Sequence, residues 1–302
     1  MKNLSRSSVA LAMAAAAISM TSPAVADEEK SPHSVSGNLT FTTNYVVRGI
    51  TQTSAKPALQ GTLDYAHSSG FYAGFFGSNA SWMADVWEVD PSLPAGGSAY
   101  GGSPNNAISG SLEIDLYAGY RGAFAGDFTY DVGGVYYYYP GKYLLDRGYS
   151  PGLKNPNTGE IYAGLGWKWI TAKVWYAVTD GVFMVPEASG TTYFNLSATV
   201  PVGETGINVI GSVGTWMWSG TAPYLTSYGL KNDIYDLIDY KLGVTKDFMG
   251  FTFGAYYWGS TADKTTRGVS GANAGVETAV WGNRFQKNLG DDTFFLTVTK
   301  AF

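Results

Sequence analysis

The chain has 302 residues, with 39 Gly, 22 Tyr, 15 Phe, 9 Trp and no Cys, 14% charged residues and a formal net charge of −5. This mild acidity gives no electrostatic case for nucleic-acid binding, which needs a basic face. A mean hydropathy of −0.05 excludes a bundle of membrane-spanning helices, and the lack of cysteine excludes a disulfide framework.

From the N-terminus, Lys2 and Arg6 precede an apolar stretch from Val9 to Met20, and Ala24-Val25-Ala26 has the small-x-small form of a cleavage site. Residues 1–26 therefore read as a signal peptide. The apolar stretch is shorter than the ~20 residues a spanning helix needs. Export without cysteine points to a bacterial envelope. Residues 27–34 read as a short periplasmic tail, and 35–302 as one domain with no linker or composition break.

Beyond residue 35, apolar side chains alternate with small or polar ones, the period-two pattern of strands with one apolar face. Twelve strands are expected, near 35–48, 58–67, 71–83, 108–121, 127–139, 160–169, 171–179, 191–200, 206–217, 234–246, 250–260 and 293–302. Leu39, Phe41, Thr43, Tyr45 and Val47 form the apolar row of the first. Leu112, Ile114, Leu116 and Ala118 form that of the fourth, and Phe294, Leu296 and Val298 lead to Phe302 in the last. The connections 68–70, 122–126, 170, 201–205 and 247–249 are short, whereas 49–57, 84–107, 140–159, 180–190, 218–233 and 261–292 are long. Short periplasmic turns alternating with long extracellular loops define an all-β, antiparallel transmembrane β-barrel of about 12 strands. A soluble two-sheet sandwich explains the alternation but not this sorting of loops.

Aromatic residues gather at both expected ends, as interfacial girdles do. Tyr65, Phe71, Tyr72, Tyr120, Phe124, Trp167, Trp169, Phe248 and Phe302 mark the short-turn end. Trp82, Tyr136 to Tyr139, Trp216, Trp218 and Tyr256 to Trp258 mark the long-loop end. Charges fall on the other row: parity places Asn44, Arg48, Asp64, Glu113, Asp115, Asp131, Lys173, Asp239 and Lys241 toward the lumen. Lys300 has lipid-facing parity but lies where it can snorkel to the interface. Two loops are candidates to fold into the lumen, 84–107 and 261–292. In the latter, Val276 to Phe285 is a candidate further hairpin, and Arg267 and Arg284 are candidate constriction charges.

Several segments resemble one known family. Tyr45 to Pro57 reads YVVRGITQTSAKP, with Arg48-Gly49 followed by Gln52-Thr53 and Pro57. The match starts at residue 36 and runs to 82, then continues in Glu113 to Gly122, Tyr130 to Gly141, EIYAGLGW from Glu160, and the terminal strand. These segments resemble the TorF-like or Gcw_chp family of proteobacterial outer-membrane porin-type proteins. The resemblance implies an outer-membrane location and pore activity, with no established substrate. A terminal Phe preceded by alternating apolar residues also resembles the signal read by the barrel-insertion machinery, with Lys300 as a departure.

Little here suggests chemistry. His33 lies in the tail, and His67 precedes Ser68 and Ser69 at an expected turn, where neighbours along a strand do not face each other. Glu113 and Asp115 share a face ~6.8 Å apart, at two strand rises of ~3.4 Å, but alternating lumen acids are common without catalysis. No phosphate loop, dinucleotide fingerprint or zinc cluster is present. The expectation is therefore no enzyme and no cofactor. The chain reads as a porin-like channel for passive diffusion of small polar solutes or ions, seated in outer-membrane lipid. The alternative is a non-conducting barrel that acts as a surface-binding or structural protein through its extracellular loops.

Overall fold

Alternate residues along these strands suit lipid and polar surroundings respectively, and closing the sheet on itself satisfies both. In the computed structural model, residues 31–83, 110–143, 154–226, 229–262 and 289–302 are described. The strands are β1 (His33–Thr42), β2 (Val46–Val47), β3 (Ile50–Thr51), β4 (Ala58–His67), β5 (Phe71–Asn79), β6 (Leu112–Phe124) and β7 (Phe128–Tyr138). They continue with β8 (Thr158–Trp167), β9 (Ile170–Ala177), β10 (Thr192–Pro201), β11 (Ile207–Met217), β12 (Leu237–Phe248), β13 (Phe251–Ser260) and β14 (Thr293–Ala301). All except β2 and β3 form one closed antiparallel barrel of 12 strands, each next to its neighbours in the chain. The seam joins β1 to β14, with Leu39 opposite Lys300 and Phe41 opposite Val298. Beyond the last ladder residue, Gly37 and Phe302 exchange backbone hydrogen bonds at 3.0 Å, so the terminal Phe fastens the seam.

The turns are sorted as expected. Five tight connections lie at one end with both termini of the barrel, and the longer ones lie at the other. Between β12 and β13 only Met249 and Gly250 turn the chain, with φ of 52° and 74°. Two successive positive φ values make the type I′ turn whose twist suits a two-residue hairpin.

Outside, Leu242 and Leu165 are about 60% exposed, at 63% and 58%, and Leu63, Leu116 and Leu296 share their outward row. So large a contiguous apolar band is a lipid-facing surface, and the molecule is a transmembrane β-barrel. Among the described residues no helix is long and apolar enough to cross a membrane. Lys300 behaves as expected: its ammonium donates to the Gly250 carbonyl at 3.0 Å and lies 5.0 Å from the Phe251 ring centre.

Several boundaries differ from the sequence expectation. β1 ends at Thr42, not 48, because the chain leaves the wall there and turns inward. Tyr45 is consequently buried in the interior instead of facing lipid. β6 runs on to Phe124, and Ile170 belongs to β9, with Lys168 and Trp169 forming the turn. Phe71, Tyr120, Phe124, Trp167, Trp169, Phe248 and Phe302 are exposed at the short-turn end, as a girdle requires, but Tyr72 points inward. At the long-loop end Tyr136 and Tyr138 face outward, whereas Tyr139, Trp216 and Trp218 are buried inside. Parity explains this: along β11, Val209, Val213 and Met217 are exposed, so Ile210, Gly214 and Trp216 share the inner row.

Candidate functional site

The interior is organised around the short hairpin β2–β3. The hydroxyl of Thr42 donates to the Asn44 carbonyl at 2.7 Å and bends the chain off the wall. Asn44 then braces the bend. Its Oδ1 accepts from Thr51 Oγ1 at 2.5 Å, and its Nδ2 donates to Thr293 Oγ1 at 3.2 Å. Val46 pairs with Thr51 and Val47 with Ile50. Arg48 and Gly49 make the turn between them, with φ of 49° and 77°. This is again a type I′ turn, where Asn-Gly or Gly-Gly is the usual solution. An arginine in the left-handed region costs on the order of 1 kcal/mol. Such strain persists only where the surroundings hold it.

They hold it through the arginine's head group. Arg48 Nη1 and Nη2 donate to Glu160 Oε1 and Oε2 at 2.8 and 2.6 Å, a bidentate pair whose side chains are 3% and 1% exposed. The guanidinium carbon lies 4.6 Å from the Tyr193 ring centre, 5.0 Å from that of Trp216 and 5.8 Å from that of Trp175. The Tyr137 hydroxyl donates to the same carboxylate at 3.1 Å. Tyr193 and Trp258 donate to Asp239 at 2.8 and 2.9 Å, which fixes the next part of the wall. Gly49 rests against that part: a Cβ there would lie 2.7 Å from Asp239 Cβ and 2.8 Å from Ser260 Cβ.

This cage belongs to β7 through β13, with the arginine's own contacts centred on the side of the barrel facing the β1–β4 pair from which the hairpin springs. Twelve strands spaced ~4.8 Å and tilted ~40° give a backbone diameter of about 24 Å. Extended chain from Thr43 to Arg48 covers about 17 Å, and an arginine side chain adds about 7 Å. The hairpin therefore crosses the lumen. It is also tied along its length. Tyr45 donates to Glu113 Oε1 at 2.8 Å, the Gln52 carbonyl accepts from the Ser81 and Trp82 amides at 2.8 and 3.1 Å, and the Thr51 amide donates to the Leu289 carbonyl at 2.8 Å.

Nearer the short-turn end lies a separate layer built from the wall alone. Lys173 donates to Asp131 Oδ2 at 2.7 Å, again with both side chains buried, and lies 3.7 Å from the Tyr162 ring centre. Tyr72 donates to Asp131 Oδ1 at 2.5 Å and meets the Tyr162 hydroxyl at 2.5 Å. Tyr117 donates to Asp64 at 2.6 Å.

Of the residues placed inward by parity, Asp64, Glu113, Asp115, Asp131, Lys173, Asp239 and Lys241 stand on the inner wall, and Lys241 lies 4.6 Å from the Trp258 ring centre. Asn44 and Arg48 are inside too, but on the inward hairpin and not on a wall strand. Among the described residues, 43–57 thus fills the lumen together with parts of the 180–190 and 218–233 connections, whose Val182, Val185, Ala188, Ala222 and Leu225 are buried in one cluster with Ile50, Trp175 and Trp216. Most of loops 84–107 and 261–292, with Arg267 and Arg284, lies outside the described residues. Sequence reading missed Glu160, Tyr193, Trp175 and Trp216. Strand parity was the available signal for all four, since Ile161 and Leu165 face outward and put Glu160 on the inner row.

His67 differs from expectation in detail. Ser69 folds back across the turn so that its Oγ lies 2.8 Å from His67 Nδ1. Ser69 is exposed and His67 half-buried, and among the described residues no group of three or more His, Cys, Asp or Glu is placed to hold a metal.

No curated protein matches the chain. Among solved structures, it is similar to the COG4313 outer membrane channel of Pseudomonas putida F1, at 12% identity and a TM-score of 0.43, over 94% of this chain and 100% of that one. It is similar to OprD of Pseudomonas aeruginosa at 12% identity and a TM-score of 0.35, over 91% and 68%. The toluene transporter TodX of P. putida matches at 10% identity and a TM-score of 0.38, over 77% and 78%. With identities and scores this low, none of these likenesses says what this chain carries. The family match is of another kind: a model described as bacterial protein of unknown function (Gcw_chp) matches residues 26–302, and the chain belongs to that family.

Proposed function

We propose that this barrel is a channel for passive diffusion of small polar solutes or ions, closed in the described state by the β2–β3 hairpin. The observation that carries the reading is the nature of the closure. The hairpin that crosses the lumen is anchored to the far wall at its tip, and it can leave without breaking one pairing of the barrel ladder. Fixed charges on the inner wall then face the passage and set its preference by charge and size. In this reading the short-turn end faces the periplasm and the long loops face outward. Residues 1–26 are removed on export, and the strand ending in Phe302 is recognised by the insertion machinery. No step requires a cofactor or energy coupling.

A planar bilayer separates this from the second reading, a non-conducting barrel working through its outer loops, which the pairing and burial of Lys173 with Asp131 favours. The test compares the refolded protein with a variant in which residues 46–51 are replaced by a Gly-Ser linker. Discrete conductance steps, larger or longer in the variant, are expected. Heat-modifiable, folded barrels that never conduct in either form refute the channel.

A further inference from the structure

We infer that Arg48 is a tethered stand-in for a solute, and that the cage it occupies is a binding site for small guanidinium compounds. This rests on the channel reading for its use in transport, but not for the site itself. Three observations converge on it.

The first is the chemistry of the cage. A planar cation is held by a fully buried carboxylate in bidentate geometry and by the faces of Tyr193, Trp216 and Trp175. That combination recognises a guanidinium better than an ammonium, because only the former presents a flat fork of donors and a stacking face. The second is the delivery. All the cage groups belong to wall strands, whereas the guanidinium arrives on a six-residue hairpin whose turn holds Arg48 at a strained φ of 49°. A brace built only for stability has no need of a strained, separable carrier; the wall pair Lys173–Asp131 shows the simpler solution.

The third is the charge left when the hairpin departs. At this level the wall carries Glu113, Asp115, Glu160 and Asp239 against Lys241. Even with the hairpin in place, Glu113 and Asp115 are buried on one inner row, where Glu113 accepts from Tyr45. Neighbouring buried carboxylates are costly, and a cation bound beside them relieves that cost. The site is therefore acidic, aromatic and shaped for a guanidinium, and Arg48 fills it until a solute competes.

Methylguanidinium is the probe. Arg48→Ala removes the tethered guanidinium and leaves its space, so the folded variant in detergent should bind methylguanidinium saturably, read by tryptophan fluorescence and by a rise in the heat-modification midpoint. Wild type should bind at least about tenfold more weakly, since a tethered competitor acts at an effective concentration of about millimolar or above. Glu160→Gln in the Arg48→Ala background should lose at least about tenfold in affinity. Tetramethylammonium, which lacks donors, should not substitute. If Arg48→Ala does not fold, Gly49→Ala serves: its Cβ meets Asp239 and Ser260 and withdraws the tip with Arg48 intact. Equal binding of methylguanidinium by wild type and by the folded variants, or no binding by any of them, overturns the site. Binding without conductance in a bilayer keeps the site and refutes only the channel.

Discussion

Glu160→Gln asks whether the Arg48–Glu160 pair is what holds the hairpin across the lumen. The two hydrogen bonds are 2.8 and 2.6 Å long, and neither side chain is more than 3% exposed. Removing one partner of a buried ion pair costs about 3–5 kcal/mol, because the remaining charge is left uncompensated. Glutamine keeps one oxygen that can accept from the guanidinium, so the low end, about 3 kcal/mol, applies. At about 1.4 kcal/mol per factor of ten, the ratio of released to docked hairpin should rise by about a hundredfold. Trypsin reads that ratio directly. Arg48 is buried when docked, and cleavage after it requires release, so the cutting rate follows the released fraction while docking remains fast. The barrel ladder does not pass through the pair, so the global unfolding midpoint should move little. Replacing both residues by Met should restore closure in a bilayer, since a buried pair and an apolar pair of similar volume are often equivalent. Unchanged cleavage at Arg48, together with unchanged conductance, would falsify the latch.

Other perturbations separate the parts of the interior. Gly49→Ala places a Cβ 2.7 Å from Asp239 Cβ at a φ of 77°, so it should favour release by about 1–3 kcal/mol and raise trypsin cleavage at Arg48 with Glu160 intact. Asp131→Asn strands Lys173 in the lower layer and should lower barrel stability by about 3 kcal/mol, seen as a drop in the urea midpoint; a midpoint equal to wild type would remove the pair from the brace. With residues 46–51 replaced by the linker, Asp115→Lys should move the reversal potential toward anion preference in a salt gradient. No change there would take Asp115 out of the lining.

The wall was legible because its physics is written in every second residue. The strand expected at 58–67 is Ala58–His67, and that at 206–217 is Ile207–Met217. Lipid on one side and polar groups on the other leave one register that satisfies both. The hairpin was not legible for the same reason. Leu39, Phe41, Thr43, Tyr45 and Val47 alternate without a break, and a short inward hairpin has the same period as the wall strand it follows. Only the Arg48-Gly49 pair, a two-residue turn signal, marked the change of direction. Trp216 and Trp218 were misplaced by residue type: tryptophan near a strand end suggests an interface, but their burial shows that they serve the interior. Glu160 stands at the first position of its expected strand, so only the outward Ile161 and Leu165 that follow it mark its inner parity.

The two buried ion pairs show why the location of a charge on the fold matters more than its chemistry. Lys173 and Asp131 stand on β9 and β7, on either side of β8. Separating them means moving strands that are hydrogen-bonded along their length, so the pair acts as a brace. Arg48 and Glu160 have the same sign pattern, closer contacts and equal burial, but one member rides on a hairpin that contributes nothing to the ladder. Separating them moves a few residues and leaves the barrel closed as a sheet. The interior, which already holds more carboxylates than cations, then loses the guanidinium that covers Glu160. The place of one residue on a two-residue turn thus decides how much of the inner wall's acidic charge is covered.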